Sequence, residues 1–289
     1  MVHRSTDTGA INLQNFTSIN NEEYSLNILN GGNQAFDYEV SADKDWIILS
    51  KNEGSVDVDD SVSITVDFSK ITSYSTGTIT IKGNSQTVTV NVAANVIDVT
   101  GLADKTYVEA HDYIAIEAGN YVEKGAAATG AEWKEIDKYG RTVSSMKVFP
   151  TTEYFYDENE APYVDYKFYT DDNEKYTLQT HIAPSNNVDW NYVSMKFAVS
   201  IDGGAPMYVD TIPKSYIAGT WRDSTWSNAV RNNIRAIDTE LGNLSEGEHT
   251  LRIYAIDPAV VLEKMIIFPS SLKLKSSYLG PKESYYVGK

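Results

Sequence analysis

The chain has 289 residues, with 24 Lys and Arg against 40 Asp and Glu and no cysteine. The net charge of −16 disfavours nucleic acids and anionic membrane surfaces as partners. The lack of cysteine excludes disulfides, thiol catalysis and cysteine-ligated metal sites. No stretch approaches the ~20 apolar residues of a membrane-spanning helix, and the length predicts two globular domains, with one large β-domain as the alternative.

Residues 24 to 95 alternate polar and apolar side chains in short runs. Alternation with a period of two predicts strands that are buried on one face. Clusters of Asn, Gly and Asp separate the runs, and Gly83-Asn84 joins two of them as a predicted hairpin. Several short strands at this spacing predict a small antiparallel sandwich. The inward-facing residues include Leu26, Ile28, Ile64, Val66, Ile79, Ile81, Val88, Val90 and Val92.

Four pieces of this region resemble a BACON domain, an immunoglobulin-like module of glycan-degrading proteins of Bacteroidota. The resemblance implies an immunoglobulin-like β-sandwich over residues 1–97, which serves as a spacer or a glycan-binding module. Trp46 heads an apolar strand, so we expect it in the core. The matching pieces are Trp46–Ser50, Gly54–Val56, Ser61–Phe68 and Gly77–Gly83.

Residues 98–106 form a polar stretch that we predict to be a linker. Beyond it, the alternation predicts about nine strands, enough for a two-sheet jelly roll. One helix interrupts them: it begins at Asp223 or Ser224, carries apolar residues near a 3.6 period and ends at Gly242. Its predicted apolar stripe consists of Trp226, Val230, Ile234, Ile237 and Leu241.

Six ordered blocks in residues 107–289 resemble the C-terminal domain of glycoside hydrolase family 115, the xylan α-1,2-glucuronidases. The resemblance implies a jelly-roll domain that follows a separate catalytic part lying upstream. A (β/α)₈ barrel takes ~250 residues of alternating strands and helices, and this chain has one predicted helix, so we expect the chain itself to be non-catalytic. The blocks are Tyr107–Ala118, Gly130–Pro150, Ala161–Tyr169, Lys196–Pro206, Gly247–Ile267 and Ser276–Ser284.

Motifs of other chemistries are absent from the sequence. The four histidines form no HExxH pair, and no nucleophile elbow, P-loop or GxGxxG motif is present. Among so many acidic residues, a pair at glycosidase spacing arises by chance. We therefore rank hydrolase activity of the chain itself third, behind a glycan-binding role and a structural role.

Glu117 and Glu263 are the candidate metal ligands. They occupy the positions at which jelly-roll modules similar to carbohydrate-binding module family 35 place ligands of a structural calcium ion. Carboxylate oxygens are suitable ligands for calcium. The alternative is that both are surface or hydrogen-bonded glutamates, since two residues fall short of six to eight ligands.

Candidate sugar-binding residues combine exposed aromatic rings with polar planar groups, which suit the apolar face and the hydroxyls of a pyranose. Loop-like polar contexts favour Trp190 and Trp221, and a nearby basic cluster would suit a uronate. Trp133 and Arg141 belong to a family block, which fits either a packed corner or a site, and we expect Trp226 in the core. The predicted set is Trp190, Trp221, Arg222, Asn228, Arg231, Trp133 and Arg141.

These observations predict an all-β chain, an immunoglobulin-like β-sandwich followed by a jelly-roll β-sandwich with one inserted helix. We expect a non-catalytic accessory region that packs on an upstream catalytic domain or binds glucuronoxylan. The alternatives are a structural spacer or homodimerisation element without a ligand site, and a stand-alone cell-surface glycan-binding protein. No signal peptide is present in this chain, and as a fragment of a larger protein we expect it to be secreted, periplasmic or at the cell surface.

Overall fold

A computed structural model describes residues 11–186, 195–212, 216, 224–274 and 277–289. The chain divides into two compact units, Met1–Thr100 and Gly101–Lys289. Both described units are built from strands, so the predicted all-β class is confirmed. The boundary between the units falls within the stretch that was predicted to be a linker.

Unit 1 is a sandwich of two sheets. One sheet has the order β1-β9-β8-β4-β6, with β2 also paired to β9, and the other has the order β3-β7-β5. A 3₁₀ turn at Phe68–Lys70 follows the seventh strand. The strands are β1 Ile11–Asn12, β2 Phe16–Thr17, β3 Tyr24–Leu29, β4 Phe36–Ala42, β5 Ile47–Leu49, β6 Glu53–Val56, β7 Asp59–Val66, β8 Ser75–Gly83 and β9 Gln86–Asn95.

The core of unit 1 follows the predicted alternation except at Val88, which is 37% exposed and lies outside the core. Trp46 is 5% exposed among the inward-facing aliphatic residues of both sheets, which confirms it as a core residue. The predicted hairpin joins β8 to β9, with Gly83 paired to Gln86. Its two turn residues, Asn84 and Ser85, both have positive φ, as the favoured two-residue hairpin turn requires.

Unit 2 is a second, larger sandwich. One sheet has the order β10-β15-β20-β17-β18, with β12 on β15, and the other β13-β14-β21-β16-β19, with β11 on β21. The elements are β10 Tyr107–Val108, β11 Ile114–Glu117, β12 Glu123–Gly125, β13 Glu132–Asp137, β14 Ser144–Phe149, β15 Tyr163–Thr170, β16 Glu174–Ile182, β17 Lys196–Ile201, β18 Met207–Asp210, α1 Ser224–Asn232, β19 Arg235–Leu244, β20 Gly247–Ala255 and β21 Val261–Pro269.

The helix α1 is shorter than predicted. It ends at Asn232, and Asn233 then takes a positive φ of 56°, a conformation that terminates helices. The residues beyond it form β19, which pairs with β16 along its length. Trp226 is 40% and Val230 51% exposed, so the prediction that Trp226 lies in the core was wrong.

The two ends of unit 2 lie side by side. The N–H of Val108 donates to the carbonyl of Tyr285 at 3.0 Å, and the N–H of Val287 donates to that of Thr106 at 3.0 Å. The rings of Tyr107 and Tyr286 pack at a centroid distance of 5.1 Å. We call this pairing the neck of unit 2. Among the described residues, no helix is long and apolar enough to cross a bilayer.

Candidate functional site

Trp133 lies in the core of unit 2 and has no exposed surface. Its strand β13 pairs with β14, and the indole N–H donates to the carbonyl of Pro162 at 3.1 Å. A ring that is fully buried and already hydrogen-bonded has no free face for a sugar. Of the two interpretations of Trp133 from sequence, the packed corner holds and the sugar-stacking role does not.

The residues predicted around the helix are only partly described. Trp190, Trp221 and Arg222 lie outside the described residues. Asn228 and Arg231 lie on α1, both exposed, and Arg231 Nη2 donates to Asn228 Oδ1 at 2.8 Å. The helix thus brings these two polar side chains together at i, i+3 spacing.

Arg141 joins two loops of unit 2. Its backbone N–H donates to Glu263 Oε2 at 3.0 Å. Its guanidinium carbon lies 4.3 Å from the centroid of the Tyr278 ring, and Nη2 donates to the carbonyl of Ser277 at 3.4 Å. These contacts hold the segment before the neck against the β13–β14 loop, so Arg141 has a positioning role here.

A β-bulge in β21 sets the direction of the Glu263 side chain. Residue His181 of β16 pairs with Lys264 of β21, but the next residue, Ile182, pairs with Leu262, so Glu263 is the extra residue. Its carboxyl group is buried against Gly140, where an added Cβ would lie 2.8 Å from the carboxyl carbon. Burial raises the pKa of Glu263, Arg141 lowers it, and the charge of Glu117 raises it.

Glu117 is paired with a lysine. Its Oε1 lies 2.9 Å from Lys264 Nζ, with both side chains 4% exposed, and its Oε2 accepts a 2.5 Å hydrogen bond from Thr142. No group of three or more His, Cys, Asp or Glu in the described part of the chain is arranged to hold a metal ion. The predicted ligands Glu117 and Glu263 therefore do not fit calcium, because an ammonium group already occupies the first carboxylate.

The outer face of the other sheet carries a row of tyrosines that the sequence analysis missed. Tyr163 is paired with Tyr254, Tyr254 with Ala198, and Ala198 with Tyr208. Residues directly opposite each other point to the same face, so the row crosses four strands. Three strand spacings put about 14 Å between its ends. We call these four residues and Arg252 the tyrosine face.

The tyrosine face is open to different degrees along the row. Tyr208 is 47% exposed, Tyr163 and Tyr254 are half-buried, and Ala198 forms a buried floor between two rings. The ring of Tyr163 lies over Gly125 of β12, where an added Cβ would be 2.2 Å from Tyr163 Cε1. A side chain at position 125 would collide with the Tyr163 ring, so the glycine is needed for the ring to lie where it does.

Polar groups on the tyrosine face are largely paired with one another. Arg252 Nε and Nη2 donate to the two oxygens of Asp165, both at 2.7 Å, and its guanidinium lies 3.6 Å from the centre of the Tyr163 ring. A bidentate pair of this kind is strong and specific in geometry. The face therefore combines aromatic surface with a neutralised charge.

Hydroxyl groups line the same face. Tyr208 donates to Glu158 Oε2 at 2.6 Å, and the hydroxyls of Tyr254 and Ser200 lie 3.3 Å apart. Aromatic rings that carry polar tips suit amphipathic ligands. The sequence signal that could have located this face is the alternation of Tyr and charged residues within β15 and β20, but the register of four strands is needed to align it.

Two sandwiches of mainly antiparallel strands, one with an aromatic outer sheet face, define the class of this protein as an all-β module. The family model of the glycosyl hydrolase family 115 C-terminal domain matches residues 106–283, more than half of the chain. The chain therefore belongs to this family. The model of the viral BACON domain matches residues 8–97, so both resemblances seen in the sequence are confirmed.

Solved structures give weaker similarities. A family 115 4-O-methyl-α-glucuronidase with specificity for decorated arabinogalactans is 17% identical with a TM-score of 0.38, over 52% of this chain and 18% of that enzyme. The C-terminal family 6 carbohydrate-binding module of a laminarinase from Zobellia galactanivorans is 11% identical (TM-score 0.36), over 54% of this chain and 98% of the module. A family 35 module from Clostridium thermocellum is 12% identical (TM-score 0.35), over 55% and 98%. No curated protein matches the chain.

Proposed function

We propose that the chain is a non-catalytic accessory region of a xylan α-1,2-glucuronidase, and that unit 2 binds glucuronoxylan through the tyrosine face. The single observation that carries this proposal is the aligned row of Tyr163, Tyr254 and Tyr208 beside a neutralised Arg252. Membership of a glycoside hydrolase family supports a glycan as the ligand. The row is longer than one pyranose ring, so it suits an oligosaccharide.

The accessory role has three further elements. An upstream catalytic domain supplies the hydrolysis, and this chain keeps that domain near its polymer. Because polysaccharides are too large to enter a cell, the role belongs to a secreted, periplasmic or cell-surface protein. Pairing of two copies stays a prediction, which sedimentation equilibrium of the full chain would test.

The test is isothermal titration calorimetry of the full chain against glucuronoxylan and arabinogalactan oligosaccharides. We expect saturable heat that Tyr208→Ala and Tyr254→Ala each weaken, since aromatic stacking contributes about 1–1.5 kcal/mol, or roughly tenfold in affinity. Tyr139→Ala is the matched control, because Tyr139 is equally exposed at 47% but lies beyond β13 of the other sheet.

Three results would contradict all or part of the proposal. Heat that is equally reduced by Tyr139→Ala would show that the tyrosine face is not the site. No heat with any oligosaccharide would leave the spacer or dimerisation role. Heat with arabinogalactan alone would retain the tyrosine face and change the polysaccharide.

A further inference from the structure

Lys264 lies at the centre of a buried group of oxygen atoms in unit 2. Its strand β21 is in register with β11, which places Lys264 directly opposite Glu117. The Lys264 ammonium lies 2.9 Å from Glu117 Oε1, 3.0 Å from the carbonyl of Pro281 and 3.3 Å from the carbonyl of Leu279. An ammonium has three donors, so this arrangement uses all of them.

These oxygen atoms are the kinds that a divalent metal ion prefers. Carboxylates and backbone carbonyls are the ligands of calcium in proteins. The hydroxyl of Thr142 supports the second oxygen of Glu117, and the carboxyl of Glu263, which is 2% exposed, has one oxygen with no hydrogen-bond partner. The oxygen atoms around Lys264 therefore resemble a metal-binding site in which the cation is the lysine ammonium. We call them the cage.

We propose that the Lys264 ammonium is a built-in cation that takes the place of a structural metal ion and makes the fold of unit 2 independent of calcium. It joins three parts of the unit: the strand β11, the strand β21 and residues 277–284, which lead to the neck. A buried ion pair that loses one partner leaves an uncompensated charge. The cage is therefore stable only while a cation occupies it. This assignment does not depend on glycan binding.

The first experiment uses the wild-type full chain and Glu117→Gln in calcium titration calorimetry. We expect the wild type and Glu117→Gln to give the same calcium titration. We also expect the wild-type chain to have the same melting temperature in calcium and in EDTA. A saturable calcium signal that disappears in Glu117→Gln would overturn the assignment. The comparison of wild-type melting temperatures in calcium and in EDTA needs no variant, so a melting temperature raised by calcium would overturn the assignment even if Glu117→Gln and the lysine variants fail to fold.

The second experiment empties the cage. Lys264→Met, which keeps the stem but removes the charge, should lower the melting temperature of unit 2 by about 6–20 °C. Lys264→Ala leaves a space beside Glu117, so we expect added calcium to raise the melting temperature of this variant part of the way back to the wild-type value. We expect calcium to have no effect on the melting temperature of Lys264→Met. Lys134→Ala is the control, because Lys134 pairs with Glu132 at an exposed position. A Lys264→Met chain as stable as the wild type would contradict the proposal.

Discussion

The phenol of Tyr176 donates a 2.8 Å hydrogen bond to Glu109 Oε2 inside unit 2, where the glutamate is 2% exposed. The N–H of Asp171 donates to the same oxygen at 3.3 Å. Burial raises the pKa of Glu109 above its ordinary value of 4.5, and the neighbouring charge of Asp171 raises it further. The carboxyl group therefore keeps its proton in the folded chain at a pH at which the unfolded chain has lost it.

We expect Glu109→Gln to stabilise unit 2 by about 1–3 kcal/mol near pH 7. Below the ordinary pKa of 4.5, both the folded and the unfolded wild type carry the proton, so pH has no effect through this group. As the pH rises above that value, only the unfolded state ionises, and the free energy of unfolding of the wild type falls. Glutamine keeps the hydrogen bonds and cannot ionise.

The measurement is thermal unfolding of both proteins from about pH 4.5 to pH 8. The stability difference should grow with pH and be small at the acidic end. Asp137→Asn is the control, because it removes a carboxylate at an exposed position of β13, away from Glu109. An equal difference between wild type and Glu109→Gln at every pH would show that folding does not raise the pKa of Glu109.

The Arg252–Asp165 ion pair determines whether the tyrosine face prefers neutral or anionic oligosaccharides. While Asp165 neutralises the guanidinium, a neutral oligosaccharide and its uronate-bearing counterpart should bind with similar affinity and weak salt dependence. Asp165→Asn frees the guanidinium, so we expect it to favour the uronate form by up to about tenfold at low salt.

The control for this prediction is Asp137→Asn, which makes the same change in net charge at an exposed position of β13. Calorimetry with both oligosaccharides at two salt concentrations measures the preference. A uronate preference already present in the wild type would show that Asp165 does not neutralise Arg252 for the ligand.

Two tryptophans of unit 2 should differ sharply in their effect on stability. Trp133→Ala removes a fully buried ring and should lower the free energy of unfolding by about 3–5 kcal/mol. Trp226→Ala changes a ring that is 40% exposed on α1, and we expect an effect within about 0.5 kcal/mol. Chemical denaturation of the two variants measures both, and similar losses would place Trp226 in the core after all.

Trp46 tests whether the two units unfold separately. Trp46→Ala should destabilise unit 1 by about 3–5 kcal/mol because it removes the largest side chain of that core. In differential scanning calorimetry we expect one transition to move and the transition of unit 2 to stay. A common shift of the whole profile would show that the two units unfold as one.

Local patterns of residues predicted much of the fold. Period-two alternation is a property of a single strand, so it located the strands of both sandwiches, the Trp46 core position and the β8–β9 hairpin. The helix prediction extended too far because Ile234, Ile237 and Leu241 satisfy a helical period, while Ile237 and Leu241 also satisfy a strand period. The positive φ of Asn233 and the partner strand β16 decide between them.

The candidate site was harder to predict because it depends on register. Tyr163, Tyr208 and Tyr254 are far apart in sequence and meet only through the pairing of four strands. Composition gave no measure of burial for individual tryptophans, so the sequence left Trp133 open between a packed corner and a site and placed Trp226 wrongly in the core. Lys264 was not recognised because an ion-pair partner across strands has no sequence signature.

The neck has a mechanical consequence. Val108 lies near the start of unit 2 and Val287 near its end. Because Val108 is hydrogen-bonded to Tyr285 and Val287 to Thr106, the two ends of the unit lie next to each other. A pulling force applied at both ends would break those few hydrogen bonds one after another and would leave the sheets unstretched. Unit 2 is therefore suited to being spliced as a cassette into a surface loop of another protein without separating the edges of that loop.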